Sequence, residues 1–169
     1  MNPLQRSGVW AAWLAPGGCR DFSYPERLLV GVLRLRLAGE APWRTGVGQI
    51  TRTFGVGEGE RVVTALDRLF QSLDQGARRD FMVYPPACDR VSADERALLT
   101  ALAAYQHGDD GWAEDVVRWM VRPSWQSQAA DGCRVTAQAF ADHRLRFHRR
   151  VRRTPTEGPG SERRLRRAG

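Results

Sequence analysis

Lysine is missing from this sequence: all 26 basic residues are Arg. That removes chemistry resting on a lysine amine, whether a Schiff base or the cation of a phosphate loop. Cysteine is scarce as well. Cys19, Cys88 and Cys133 are odd in number, widely spaced and contain no Cys-x-x-Cys pair. Neither a disulfide framework nor a four-cysteine zinc site is expected, and reduced thiols in a cytoplasmic protein are. No apolar run approaches the ~18 residues of a membrane span. Val9 to Ala15 is apolar but only seven residues long, with Pro16 where a lipoprotein signal would want a small or aliphatic residue. Secretion and membrane attachment are therefore not expected.

Catalytic signatures are equally thin. There is no Gly-x-Ser-x-Gly elbow. Gly46-Val47-Gly48 and Gly55-Val56-Gly57-Glu58-Gly59 share only glycine spacing with phosphate-binding loops. The first lacks a third Gly and a preceding strand, and the second sets Glu58 and Glu60 where a phosphate would sit. Metal sites need His at i and i+4 or a Glu-x-x-His pair, and neither occurs. His107, Asp110 and Glu114 would share a face only on a helix that Gly108 and Gly111 interrupt, so they read as helix-end polar residues and caps. Cys88, after Pro85-Pro86-Ala87, is the most exposed-looking thiol; it reads as a small hydrophobe beside a turn rather than a nucleophile. With no catalytic set, cofactor site or metal site to assemble, the expected function is non-enzymatic.

The chain does carry helices. Its 42% hydrophobic residues can bury one core, and 169 residues suit one domain with an appendage. Residues 1–22 read as an irregular arm with Trp10 and Trp13 as anchors. A domain follows over 23–148, then a tail over 149–169. Ser23-Tyr24-Pro25-Glu26 is a helix start, and Leu28, Leu29, Val30, Val32, Leu33, Leu35 and Leu37 make a mostly buried helix ending at Gly39. At 100° per residue Arg36 falls among these leucines, while Arg34 stays with Arg27 on the polar edge. Arg36 is thus read as a snorkelling helix-end side chain, or else an anion-binding group facing a cleft.

Past a Pro42-Trp43 turn, Val47, Ile50 and Phe54 indicate a short helix closed by Gly55. The clearest apolar stripe, Val62, Val63, Leu66, Leu69, Phe70 and Leu73, predicts a helix from about Glu58 to Gln75. Asp80 to Tyr84 is the one candidate strand, ended by Pro85-Pro86. Ser92-Ala93-Asp94-Glu95 is a capping box for a helix through His107. Asp109 or Asp110 caps another that stops before Pro123. A last helix starts between Ser124 and Cys133, blurred by Gly132, and the stripe Cys133, Ala137, Phe140, Phe147 and Val151 carries it outward. The fold class is therefore all-α, a single domain of five to six helices with room for one minor strand.

Gln49 to Val56 followed by Val62, Ala65 and Leu66 has the outline of a helix-turn-helix, with Asp80–Tyr84 as a wing. Its turn is a residue too long, and Gly57, Glu58, Gly59 and Glu60 would face DNA where donors are needed, so ordinary packing is expected.

Charge gives the strongest signal. From His143 to Gly169 there are ten Arg against Glu157 and Glu162, +8 in all, which leaves residues 1–142 at −1 of the chain's +7. Arg144, Arg146, Arg149, Arg150, Arg152, Arg153, Arg163, Arg164, Arg166 and Arg167 are the candidate polyanion-binding residues, since guanidinium forks suit phosphates. Beyond residue 153 the segment around Thr154-Pro155-Thr156-Glu157-Gly158-Pro159-Gly160-Ser161 has no apolar anchor and is expected to be disordered. The sequence points to a small regulatory or adaptor protein whose arginine-rich end contacts nucleic acid without sequence preference. The alternative is a protein–protein interaction module using the Trp arm or the Trp112–Trp125 region, with the tail incidental.

Overall fold

The computed structural model describes residues 22–149. Among them the fold is all-α, with helices α1 (Tyr24–Leu37), α2 (Glu40–Phe54), α3 (Val56–Gly76), α4 (Ala93–Gln106), α5 (Asp110–Met120) and α6 (Pro123–Asp142) and no β-strand. That is the expected class and helix number. Of the arm at 1–22 only Phe22 is described, buried on the core, and the tail from residue 150 lies outside the described residues.

Helix α1 runs through the middle. Leu28, Leu29, Val30, Val32 and Leu33 are all buried, so its apolar residues cover the circumference rather than one stripe, as in a helix packed on every side. In α3 the stripe is one-sided: Leu66, Leu69 and Phe70 are buried while Thr64, Arg68 and Gln71 are exposed. That face lies against α2 and α6, and α4 packs on α5 and α6. Gly132 sits in the middle of α6, because a Cβ there would come 2.8 Å from Leu69 Cβ and 3.1 Å from the Ala65 carbonyl oxygen. The glycine that obscured the helix start is needed for α3 and α6 to touch.

Two local expectations are corrected. Pro42 and Trp43 are not a turn but belong to the first turn of α2. A proline costs little there, since the first N–H groups of a helix have no intrahelical partner. Residues 80–84 are extended but not a strand, because side chains rather than a second strand take their backbone groups. The Met82 N–H donates to Asp94 Oδ2 (2.8 Å), the Ser92 hydroxyl donates to the Met82 carbonyl (2.6 Å), and the Tyr84 N–H points at Glu95 Oε1 (3.4 Å). Burial alone would raise the pKa of Asp94. The Arg79 and Met82 hydrogen bonds and the Arg79 charge together outweigh it and hold the carboxyl below its usual range.

A third correction concerns Arg34 of α1, which is expected on a polar edge and is wholly buried. Arg36 keeps the expected snorkelling role: it is partly exposed and reaches the Asp67 carboxylate at 2.8 Å. The polar edge of α1 does not meet solvent; it meets the start of α4 and the connection that precedes it. Arg34 donates from Nε to Glu95 Oε1 (2.6 Å) and from Nη2 to Glu95 Oε2 (2.9 Å) and the Arg90 carbonyl (2.6 Å). Its Nη1 serves the carbonyls of Cys88 (2.5 Å) and Pro85 (3.4 Å). All five guanidinium protons thus have acceptors.

Two stability measurements test this packing. Glu95→Ala leaves a buried guanidinium without its counter-charge and should lower the unfolding free energy by about 3–5 kcal/mol in urea titration; a loss below about 1 kcal/mol would contradict the burial of the pair. Gly132→Ala should destabilise by about 1–3 kcal/mol through overpacking on Leu69, although alanine is the better helix former. A more stable variant would show that α3 and α6 are further apart.

Candidate polyanion-binding site

The candidate site starts where α6 stops. Arg144 has a left-handed backbone (φ 60°), its N–H donates to the Ala141 carbonyl (2.9 Å), and the Leu145 N–H donates to the Phe140 carbonyl (2.8 Å). These two bonds are the paired closure of a Schellman motif with Arg144 in the position usually held by glycine. The chain then runs back along the body instead of continuing outward. Phe147 is buried and stacks on Phe140 with centroids 5.0 Å apart, and Phe140 in turn meets Phe54 at 4.9 Å. The expected outward extension of the last helix through Phe147 is therefore corrected: Phe147 reaches the apolar stripe by a return of the chain.

Gln106 makes that return possible. Its amide nitrogen donates to the carbonyls of Ala137 (3.0 Å) and Leu145 (2.9 Å), and its amide oxygen accepts from the Phe147 N–H (2.8 Å). One residue on, His148 Nδ1 lies 3.1 Å from Oε2 of the buried Glu26, an oxygen that also accepts from the Ser23 N–H (2.8 Å) and hydroxyl (3.0 Å). The segment is pinned at both ends while its arginines stay exposed. Arg144, Arg146 and Arg149 are exposed and form no ion pair among the described residues. Arg150, Arg152, Arg153, Arg163, Arg164, Arg166 and Arg167 lie outside the described residues.

Much of the body's arginine is spoken for. Arg36, Arg44, Arg61, Arg79, Arg118 and Arg134 each have a carboxylate in contact: Asp67, Glu40, Glu58, Asp94, Asp115 and Asp131 respectively. Elsewhere the chemistry is quiet. Burial pushes the Cys133 thiol up to about 12, the wrong direction for a nucleophile, and Cys88 is partly buried with its carbonyl bound by Arg34. His107 closes α4 and Asp109 caps α5 through the Trp112 N–H, as expected for helix-end polar residues. No group of three or more His, Cys, Asp or Glu converges on a common point among the described residues.

The helix-turn-helix outline does not carry over. A single residue, Gly55 with φ 82°, joins α2 to α3, so the recognition-type turn is contracted to one position, and the proposed wing is the segment held by Asp94, Ser92 and Glu95. Gln106 and His148, to which the sequence reading gives no such role, and Glu26, read only as part of a helix start, position the arginine segment. Comparisons with family models, curated proteins and solved structures return no match.

The left-handed Arg144 offers a direct check. Arg144→Gly relieves a backbone conformation that costs a residue with a Cβ roughly 1–2 kcal/mol, against a smaller entropic loss from the added glycine. The variant should gain about 0.5–1 kcal/mol and melt a few degrees higher. A lower melting temperature would mean that the turn after α6 is not of this type.

Proposed function

We propose that this protein is a small, non-enzymatic, cytoplasmic adaptor that binds a polyanion, most naturally nucleic acid, through the arginines that follow α6. One observation carries the reading: Arg144, Arg146 and Arg149 stand exposed without carboxylate partners among the described residues, on a segment tied to the core, whereas seven arginines of the body are matched by carboxylates. Guanidinium groups fixed on a scaffold give up less freedom on meeting phosphates than groups on a loose chain. The seven arginines from Arg150 onward extend the same charge. No helix among the described residues is long and apolar enough to cross a membrane, which agrees with a partner met in solution.

A protein–protein module is the second reading, and one surface favours it. Trp119 is half exposed under the Arg79 guanidinium at 4.3 Å, near Met82, which is 59% exposed and held to the same Asp94 that pairs with Arg79. Tryptophan, arginine and methionine are the residue types enriched at such contacts.

Salt dependence separates the two. For duplex DNA the log of affinity should fall with log salt at about −0.9 per phosphate neutralised, so four to six engaged arginines give a slope of about −4 to −5. Deleting residues 150–169 removes seven Arg and two Glu and takes the net charge from +7 to +2. This should shrink the slope to that of the three anchored arginines, and changing those to Gln as well should flatten it. Absence of binding at low salt would leave the Trp119 surface as the better account.

A further inference from the structure

Several clefts of the body set arginines beside carboxylates. Arg78 and Arg122 share a space of about 510 Å³ with Asp74 and Asp80, Arg36 shares one with Asp67 and Asp74, and Arg118 and Arg134 share one with Glu114 and Asp131. A cleft of about 320 Å³ between the start of α1 and the end of α2 differs. Among the described residues it is lined by Tyr24, Leu28, Gln49, Arg52 and Thr53, with no carboxylate. Arg52 is exposed and makes no ion pair among the described residues.

The polar groups of this cleft are arranged but incompletely used. Thr53 Oγ1 donates its single proton to the Gln49 carbonyl (2.9 Å), so at 3.4 Å from the Tyr24 hydroxyl it can only accept, and Tyr24 is the donor. That holds the Tyr24 ring, 43% exposed, at the rim. The Gln49 amide oxygen is buried with no hydrogen-bond partner among the described residues, and a buried acceptor without a donor is costly. An aromatic face, an unanswered acceptor and an unneutralised guanidinium correspond to the three parts of a nucleotide: the base face, the N–H groups of the base edge and the phosphate. The opposite side of the same first turn of α1 bears Glu26, which holds His148. The cleft is therefore about one helix diameter, ~10 Å, from the anchored root of the arginine segment.

We infer that the polyanion is single-stranded nucleic acid, with one unpaired base seated between α1 and α2 against Tyr24 and Gln49, its phosphate on Arg52, and the continuing strand on Arg144, Arg146 and Arg149. This rests on the polyanion reading and narrows it. A duplex has its base faces stacked and its pairing edges occupied, so it could use the arginines but not the cleft.

The test compares a short mixed-sequence DNA single strand with the duplex of the same sequence, using full-length protein. Tyr24→Leu should weaken single-strand binding at least about fivefold, the loss of one base stack, and leave duplex binding unchanged. Tyr24→Phe keeps the stacking ring but gives up the hydroxyl bond to Thr53 that orients it, and should lose clearly less single-strand affinity than Tyr24→Leu. Arg52→Gln, at an exposed position, should reduce the single-strand salt slope by about 0.7, one phosphate, with no change on duplex. Equal losses on both probes, or no loss with Tyr24→Leu and Arg52→Gln, would overturn the cleft while leaving the arginine segment as the binding element. Failure of the unaltered protein to bind either probe would overturn the underlying reading too.

Discussion

Burying a guanidinium is tolerable only if every proton finds an acceptor and the charge finds its opposite, and the fold is arranged around meeting that condition for Arg34. Its side chain and that of Glu95 are both fully buried. The connection from α3 to α4, about sixteen residues without regular structure, needs side-chain partners for the backbone groups it turns toward the core. Arg34 takes three carbonyls from it, at Pro85, Cys88 and Arg90, while Glu95 accepts from the Ser92 N–H (2.8 Å) within the α4 capping box. An apolar pair of equal volume could fill the space but could not bind those carbonyls. The ion pair therefore fixes one conformation of the connection, a different contribution from raw stability.

The same helix sets the geometry at its other end. In the first turn of α1, Glu26 is a capping-box carboxylate that also meets His148, a residue 122 positions later. Because Arg34 ties the later part of α1 to α4, and Gln106 at the end of α4 binds the segment around Leu145 and Phe147, the returning chain is held from two sides of one rigid assembly. The arginine-bearing segment thus inherits the order of the core. Fixed donors meet a phosphate backbone at lower entropic cost than donors on an unconstrained chain.

The helices were legible in the sequence for ordinary reasons: Ser-x-x-Glu boxes before Glu26 and Glu95, the 3.6-residue stripe of α3, and glycines at 39, 55 and 108 that all take positive φ. What stayed hidden was non-local. Periodicity ranks Arg34 above Arg36 for exposure because it knows only the helix's own faces, and nothing nearby announces Glu95, 61 positions away, as a buried partner. The end of α6 was hidden for the opposite reason. A Schellman closure normally advertises itself with glycine, and here an arginine occupies that position, so the apolar spacing of Phe140 and Phe147 imitated two more helical turns. Of the candidate site, the arginines were visible as a charge run, but their anchoring by Gln106 and His148 depends on contacts that no local pattern encodes.

A lysine-free protein also shows what arginine does besides carry charge. Arg27 donates to the Phe22 carbonyl (2.5 Å), Arg78 to those of Arg118 (2.6 Å) and Val121 (3.1 Å), and Arg122 to that of Gln75, each closing a backbone group at a helix end or connection. The planar fork with several donors suits that task better than a single ammonium. Residues 1–142 carry 16 arginines against 17 acids, and between carboxylates and carbonyls the fold finds work for most of those it describes. Charge counted along the sequence therefore overstates what the body offers a partner. Arg52, Arg144, Arg146 and Arg149 are among the exposed arginines to which the described residues give neither kind of acceptor, and they lie on surfaces that the first turn of α1 joins.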